Sequence, residues 1–521
     1  MHRFGWISEQ LNALHGNIPS GPDEVLERVG TPRDEEFARA LHNIPEEKSG
    51  YAVTLFQCLI AANGSLKLKV LADISKEFPD ISKELADTSK KLDPNADFYE
   101  DAVLSACPDL IKCDPNDPTL VRFTPDSESV TNFLISDRLR TSSTENPLRS
   151  RFFLEDAHAT LARCCVKVLL RDKTQLESSP SALYAAQHWV KHTQQGKAAT
   201  KNHDVMKILF DKNEPHLKAW ICMYDIDKGQ SRTTENLAEP PSSRIRTPLY
   251  YAALCGFTEL VDLSVDLYDR PDSIGNHGTP LHAASYKGYD KTVDALLAHV
   301  GSDPEKVNKK VGKKTPLHAA YYGGHQNIMR ALLKKGAEVD ATETLETSGT
   351  SGTPGTSDTP GNTLLHCASL DGQVEVVDLL LEFEANINAK NENGWTPLHR
   401  ATLGGQVKVA ERLIYQLKDK NDNILKELLN AQSQDKNTPL HIASIIGNLP
   451  IVELLLGHKA DREKEGEHGW TPHKAAVENR HKKVAERLAR NDPWWRGGSD
   501  LRHRGMKKFR DLRGHAHTSS G

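Results

Sequence analysis

The sequence predicts an all-α fold, in which a solenoid of about seven stacked helix pairs follows a mainly helical domain. Three observations support this prediction. A Thr-Pro-Leu-His motif, with variants, recurs through the second half of the chain, an alanine follows each motif at a fixed distance, and apolar residues then recur at helical spacing. The chain has 521 residues, which is material for about three or four domains.

The first 235 residues contain no repeat but show the apolar periodicity of helices. Helices are predicted at about 24–29, 51–62, 156–170 and 181–192, with a short strand at 120–123. In the last of these helices, the predicted buried face consists of Leu183, Ala186, Trp189 and Val190.

Several segments of this half occur in an order that is typical of a known family. They are 18–27, the apolar helix 52–62 with Leu66–Ile74 behind it, 121–134, the helix around Ala157 and His158, and 183–190. This order resembles the region after the nucleotide-binding module of fungal NACHT-type STAND proteins, which are signal-transducing ATPases. There, a winged-helix region and a helical connector lead into a helical repeat array. The resemblance implies a helical, winged-helix-like region at 1–130 and a helical connector at 131–235.

The chain lacks the phosphate-binding motif that such ATPases use. That loop needs G-x-x-x-x-G-K-[ST], because its backbone N–H groups and its lysine hold the phosphates. The nearest fragment, Gly196-Lys197-Ala198-Ala199, lacks the first glycine and the hydroxyl residue. No G-x-S-x-G, H-E-x-x-H or G-x-G-x-x-G motif occurs either. We therefore predict a protein that is not an enzyme and has no catalytic residues and no cofactor, with an unrecognised activity in residues 1–235 as the alternative.

Seven motifs define the repeat of the second half. They begin at Thr247, Thr279, Thr315, Thr363, Thr396, Thr438 and Thr471, at steps of 32, 36, 48, 33, 42 and 33 residues. Thr caps a helix that Pro opens at its first position. The alanine five residues after each Thr lets helices approach closely, and a glycine nine residues after six of the seven allows the turn that ends the helix. A second helix with one apolar stripe follows, as at Ile328, Leu332 and Leu333.

These residues resemble the ankyrin repeat, whose signature is T-P-L-H-x-A at a period of about 33 residues. The resemblance covers about 244–490, and we assign the repeat domain to 236–490. It implies finger loops on one side of the stack and atypical repeats at its ends. The atypical residues are Tyr250 in the first repeat and His473, Lys474 and Arg480 in the last. The step of 48 indicates a flexible insertion at 341–360, and the step of 42 indicates a lengthened second helix around 418–429.

The motif histidines recur once per repeat, at His282, His318, His366, His399 and His441. Equivalent residues of stacked helices lie about 10 Å apart, whereas the ligands of one metal ion must lie about 2 Å from it. We therefore predict no metal site and expect each histidine to be hydrogen bonded and to brace neighbouring finger loops. The eight cysteines are scattered and are expected to be reduced thiols.

Composition and charge exclude further classes. Lys plus Arg number 66 against 71 for Asp plus Glu, and the net charge of -5 gives no drive toward nucleic acid or anionic lipid. The sequence shows no apolar signal segment and no stretch near the roughly 20 apolar residues of a membrane span. This predicts an intracellular protein, cytoplasmic rather than nuclear. The basic tail at 491–521 is expected to be disordered, with an import signal or a nucleic-acid arm left open.

We expect a non-catalytic protein–protein interaction scaffold that binds a protein partner through the concave helical face and the finger loops, with no membrane and no small-molecule substrate. Candidate partner-binding residues are Tyr286, Lys287, Tyr321, Tyr322, Leu403 and Ile445 on the first helices and Trp395 and Trp470 at the fingers. Packing between repeats is the alternative for each of them. The alternative function is a regulatory or signalling remnant of a NACHT-type STAND protein that oligomerises or acts on a complete relative. The partner, the oligomeric state and the completeness of the chain stay open.

Overall fold

The computed structural model describes residues 32–44, 46–63, 65–77, 96–105, 107–124, 127–135, 154–195, 199–211, 215–231, 245–261, 274–301, 303–343, 361–418 and 422–489. The chain divides into two units, residues 1–276 and 277–521, and each is described by itself. The helix predicted at 24–29, most of the predicted insertion at 341–360 and the predicted tail at 491–521 lie outside the described residues.

The first unit begins with helices around a small sheet. Its elements are α1 (Pro32–His42), α2 (Glu46–Ala61), β1 (Ser65–Lys67), α3 (Leu68–Ser75), α4 (Ala96–Ser105), β2 (Ile111–Cys113), β3 (Leu120–Phe123) and α5 (Ser127–Ile135). Strand β3, predicted from the sequence, pairs antiparallel with both β1 and β2 and is the central strand. Phe56 of α2 packs on Phe123 of β3 with ring centroids 5.7 Å apart, which fastens the sheet to the helices.

A second group of helices follows in the same unit. It comprises α6 (Leu154–Leu169), α7 (Lys173–Ser178), α8 (Ala182–Gln195), α9 (His203–Leu209), α10 (His216–Met223) and the two-stranded ladder β4 (Tyr224–Asp225) with β5 (Gln230–Ser231). Helix α6 packs against α2 and α8. The core of this group is aromatic, because the Trp189 ring lies 5.0 Å from that of Trp220 and 5.2 Å from that of Phe257.

Helix α8 corrects one predicted core residue. Ala186, Trp189 and Val190 are buried as expected, but 48% of Leu183 is exposed. With 3.6 residues per turn, the buried stripe of α8 runs through Ala182, Ala186 and Trp189. Leu183 is rotated by about 100° from Ala182 and lies at the edge of that stripe, where its side chain stays largely exposed.

A partly buried ion-pair network joins α3 to the segment that follows α6. Arg171 lies 3.0 Å from the Asp73 carboxylate and 2.8 Å from that of Glu77. The hydroxyls of Ser179 and Ser181 donate to the same Asp73 oxygen at 2.5 and 2.7 Å. Burial would raise the pKa of Asp73, but these hydrogen bonds and the Arg171 charge outweigh burial and lower it to about 2.

The first repeat also lies in this unit, as α11 (Pro248–Cys255) and α12 (Thr258–Val261). Tyr250 takes the place of the motif histidine, and its hydroxyl donates to Asp227 Oδ1 at 2.5 Å. A Cβ at Gly275 would lie 2.0 Å from the Tyr250 ring, so the tyrosine requires glycine there. The atypical first repeat is thus held by a Tyr–Asp hydrogen bond that the motif does not encode.

The second unit is a series of helix pairs, in which each repeat contributes a first and a second helix. The pairs are α13 (Pro280–Lys287) with α14 (Asp290–Val300), α16 (Pro316–Gly323) with α17 (Gln326–Lys334), α18 (Leu364–Asp371) with α19 (Val374–Glu382), α20 (Pro397–Leu403) with α21 (Val407–Lys418), α23 (Pro439–Ile446) with α24 (Leu449–Gly457), and α25 (Pro472–Glu478) with α26 (Lys482–Leu488). Short α15 (Pro304–Val307) precedes the finger before Thr315. Neighbouring first helices pack on each other at α13 with α16, α18 with α20, α20 with α23 and α23 with α25. The predicted helical solenoid is therefore confirmed.

The first helices begin and end as the motif predicts. At Thr315, for example, the side-chain oxygen accepts the backbone N–H of His318, and Pro316 occupies the first turn. Gly288 ends α13 with φ +83°, and a Cβ there would lie 2.3 Å from the His325 ring. Only glycine meets both conditions.

The long step between Thr396 and Thr438 is occupied by a further helix, α22 (Asp422–Leu429). It follows α21, and residues 419–421 between them lie outside the described part. Leu428 and Leu429 of α22 are buried. The expectation of one lengthened second helix is therefore wrong. The extra residues form a separate helix, α22, which its own buried leucine pair anchors.

Candidate protein-recognition surface

The motif histidines build the frame of the second unit. At four junctions, His Nε2 donates to the carbonyl that precedes the next motif, at 2.9 to 3.1 Å. The pairs are His282 with Lys314, His366 with Trp395, His399 with Asn437, and His441 with Trp470. In each case Nδ1 accepts the backbone N–H of its own motif threonine, at 3.1 to 3.3 Å. Four of the five motif histidines therefore brace neighbouring fingers, and the prediction is confirmed for these four.

This geometry requires the neutral imidazole, with the proton on Nε2. Burial lowers the pKa of His282, His366 and His399 to about 4 and also lowers that of His441. A proton added at Nδ1 would displace the threonine N–H that this nitrogen accepts. The histidines are thus structural groups, and within the described ranges no cluster of three or more His, Cys, Asp or Glu could hold a metal ion.

His318 is the exception among the motif histidines. Its Nδ1 makes the usual contact with Thr315, but its buried Nε2 has no hydrogen-bond partner. The equivalent carbonyl belongs to Asn362, which accepts the backbone N–H of Glu343 at 3.1 Å instead. This is the junction that contains residues 344–360, so the insertion coincides with the loss of one brace.

The outer side of the first helices carries the side chains that differ from repeat to repeat. We call the positions seven and eight residues after each motif threonine the variable face. In the second unit these positions are Tyr286 and Lys287, Tyr322 and Gly323, Leu370 and Asp371, Leu403 and Gly404, Ile445 and Ile446, and Glu478 and Asn479. All of them are exposed or half-buried, whereas the alanine five residues after each threonine is buried. A constant frame therefore displays a changing surface.

The structure divides the predicted partner-binding residues into two groups. Tyr286 is 40% exposed and Lys287 is exposed, while Tyr322, Leu403, Ile445 and Trp470 are half-buried. Tyr321 and Trp395 are only 4% and 8% exposed. These two lie in the packing between repeats, which was the alternative interpretation, and we leave them out of the surface considered below.

Buried Tyr321 and its half-buried neighbour Tyr322 both use their hydroxyls within the repeat stack. Tyr321 donates its hydroxyl to Asp371 at 2.6 Å, and Tyr322 donates to Glu343 at 2.7 Å. Burial, with the neighbouring carboxylates, raises the pKa of both phenols far above its ordinary value. Both tyrosines are therefore neutral hydrogen-bond donors. Tyr321 is buried in the frame, whereas Tyr322 stays half-buried on the variable face.

Arg400 is a residue that sequence reasoning missed. It lies four residues after Thr396 and is 2% exposed, and its Nε and Nη2 have no hydrogen-bond partner. Burial lowers the pKa of Arg400, although the groups of Cys367 and Asp371 oppose the shift. The motif leaves this position free, so only packing against the preceding repeat determines that the guanidinium is buried.

A polar groove of about 1110 Å³ lies beside α22, and its walls include Asn388, Lys390, Lys426 and Asn430. Lysine and asparagine amide groups dominate it, and the arrangement suits water or a polar chain better than a chemical step. Among the helices that the structure describes, none is long and apolar enough to cross a membrane.

Two models of one protein family match the chain. The model described as ankyrin repeats (3 copies) matches residues 162–308, 269–343 and 413–494. The model described as ankyrin repeats (many copies) matches residues 317–381 and 364–414. Together they span more than half of the sequence, so the chain belongs to the ankyrin-repeat family. The matched stretch begins in α6, well before Thr247.

A curated relative is the azaphilone pigments biosynthesis cluster protein L of Monascus ruber, which is 24% identical over 187 residues. The match covers 32% of this chain and 40% of the relative, so the chain spans less than half of that protein's length. Neither the family models nor this relative supports the resemblance of residues 18–235 to NACHT-type proteins.

Proposed function

We propose that this protein is a non-catalytic scaffold that binds a partner protein through the variable face and the neighbouring finger loops. The observation that carries the proposal is the separation of frame and surface. From Thr279 to Ala443 the motif Thr, Ala and His side chains are all buried, while the side chains of the variable face change along the stack. A stack of this kind offers one rigid surface that different side chains make specific.

The chemistry of the variable face suits protein recognition. Tyr286 is an exposed aromatic beside Lys287, and its ring stacks on that of His277 with centroids 5.2 Å apart. Leu403 and Ile445 add half-buried apolar side chains on later repeats. Aromatic anchors with apolar neighbours are the usual centres of binding energy in protein interfaces.

Affinity capture with the full chain tests the proposal. Tyr286→Ala is expected to weaken capture of a partner from lysate while the melting temperature stays near that of the wild type. Tyr415→Ala is the matched control, because Tyr415 is 52% exposed on the second helix α21. Equal loss of capture in both variants, or no partner captured by the wild type, would count against a recognition role for the variable face.

A second candidate is a regulatory role for the first unit, as in a remnant of a NACHT-type STAND protein. The observation that favours it is the element order of residues 46–123, in which helices alternate with a three-stranded antiparallel sheet of the kind a winged-helix region would contain. The test is size-exclusion chromatography with light scattering on the full chain. Self-association that Tyr286→Ala does not affect would favour this role, and a monomer at all concentrations would oppose oligomerisation.

A further inference from the structure

Four lysines lie together on one finger loop of the second unit. Lys309, Lys310, Lys313 and Lys314 flank a tight turn that a backbone bridge between Val311 and Lys314 closes. We call these four side chains, with Lys287 of the preceding first helix, the basic finger. All five are exposed or half-buried. Sequence reasoning did not single out the finger, because the net charge of the whole chain is negative.

The positive charge of the basic finger is not neutralised locally. Across the part of the chain that the structure describes, none of its five lysines is in an ion pair; the other contacts are a hydrogen bond from Lys310 to the Thr342 carbonyl and ring contacts of Lys287 and Lys314. Glu343, which follows Thr342 in the chain, accepts the Tyr322 hydroxyl and forms no ion pair with these lysines. Lysines usually meet acidic partners on a surface of mixed charge, so these five lysines leave positive charge that an external anion can meet.

Aromatic rings accompany the lysines. The Lys314 ammonium lies 4.1 Å from the centroid of the Tyr322 ring, and that of Lys287 lies 5.8 Å from the Tyr286 ring. Tyr286 and Tyr322 occupy the same variable-face position on neighbouring repeats, so the charged finger continues into the face that carries the proposed function. Such contacts hold the ammonium groups in place and add apolar surface around them.

The charges also act on groups below them. Burial is the main cause that lowers the pKa of His318, and the positive charges of Lys314 and Lys310 lower it further. Lys309 acts in the same direction on His282. The finger lysines therefore contribute positive potential around both of these buried histidines.

We propose that the basic finger and the adjoining Tyr286 and Tyr322 bind an acidic, extended segment of the partner protein. The proposal rests on the proposed scaffold function and deepens it, because it names the chemistry of the partner. Charge complementarity favours an acidic peptide over nucleic acid for this chain. A nucleic-acid site depends on contacts to many phosphates, whereas here the cations are confined to one finger of an acidic protein.

Fluorescence anisotropy with the full chain tests the proposal. The probe is a fluorescein-labelled peptide of about eight glutamates, and the measurement is made at low salt, where charge attraction is least screened. The finger variant Lys309→Glu/Lys310→Glu/Lys313→Glu is expected to weaken peptide binding by about tenfold or more. The matched control is Lys291→Glu/Lys334→Glu/Lys408→Glu, in which the same charge change falls on exposed lysines of the second helices α14, α17 and α21. It is expected to change binding by less than about twofold.

Three outcomes of the binding assay would overturn the proposal. They are no binding of the glutamate peptide to the wild type, equal weakening by both triple variants, and tighter binding of a short DNA duplex that the finger variant abolishes. Circular dichroism checks folding, and Lys309→Gln/Lys313→Gln supplies a milder finger variant if the triple variant does not fold. The two proposals can fail separately: a partner that is captured equally by the finger variant keeps the scaffold function and removes the acidic-segment site, whereas the absence of any partner removes the scaffold function itself.

Discussion

The junction after His318 and the junction after His399 are built from the same motif but joined differently. His399 Nε2 donates to the Asn437 carbonyl at 3.1 Å, while the buried His318 Nε2 has no hydrogen-bond partner. Both histidines hold their own helix start through Nδ1 in the same way. The comparison separates two roles of one residue type: capping within a repeat, which the motif alone determines, and bracing between repeats, which depends on where the next finger places its carbonyl.

Acid is expected to have the largest effect, because it acts on every braced junction at once. The folded-state pKa values of His282, His366 and His399 are lowered to about 4, below the ordinary value of about 6.5. Their contribution to stability is therefore complete above about pH 6.5 and is lost as the pH falls toward 4, at up to about 1.4 kcal/mol per pH unit for each histidine.

Denaturant unfolding at several pH values measures this dependence. His399→Ala is expected to reduce the slope of the unfolding free energy against pH by about one proton near pH 5. The control Tyr415→Ala should keep the wild-type slope. A slope unchanged by His399→Ala would mean that this imidazole is not held neutral by burial.

Removal of the two histidines tests the comparison directly. His399→Ala should cost about 3 kcal/mol, because it deletes a helix cap, a buried ring and the brace. His318→Ala should cost about 1 kcal/mol less, since it removes no brace and also removes an unsatisfied nitrogen. Chemical denaturation provides both values, and equal losses would show that the bond to Asn437 adds nothing to the junction.

Arg400 offers a smaller test of packing between repeats. Its charge is buried with two nitrogens unpartnered, so Arg400→Met is expected to be neutral or to stabilise the protein by about 1 kcal/mol. The control is Arg412→Met, because Arg412 is exposed and pairs with Asp378 at 2.9 Å, and it should change stability by less than about 0.5 kcal/mol. A loss of more than about 2 kcal/mol in Arg400→Met would mean that the protein compensates the buried charge.

Much of the second unit follows from its sequence, because local chemistry determines it. Thr315 caps and Gly288 terminates their helices through contacts within a few residues. Other features depend on what the neighbouring repeat presents, and a single motif does not encode that. The Tyr321 hydroxyl can be buried because Asp371, 50 residues away, accepts its hydrogen bond. The separate helix α22 is anchored by the burial of its leucines Leu428 and Leu429.

The first unit follows less closely from its sequence, for the same reason. Strand β3 was predicted from its local pattern, yet its partners β1 and β2 lie on both sides of it in the sheet. The exposure of Leu183 and the Tyr250–Asp227 bond depend equally on distant segments. The candidate recognition surface lies between these cases: its position on the first helices could be predicted, but the exposure of each side chain and the unpaired lysines of the basic finger could not.

The central claim is that the variable face binds a partner while the buried frame only supports it. The most direct measurement is the affinity of the captured partner for Tyr286→Ala and Tyr415→Ala, with the unfolding free energy of each variant measured in parallel. The account predicts that Tyr286→Ala weakens binding by about tenfold or more, as a hot-spot residue would, with both variants as stable as the wild type. Binding that is unchanged in Tyr286→Ala, or lost only together with stability, would contradict it.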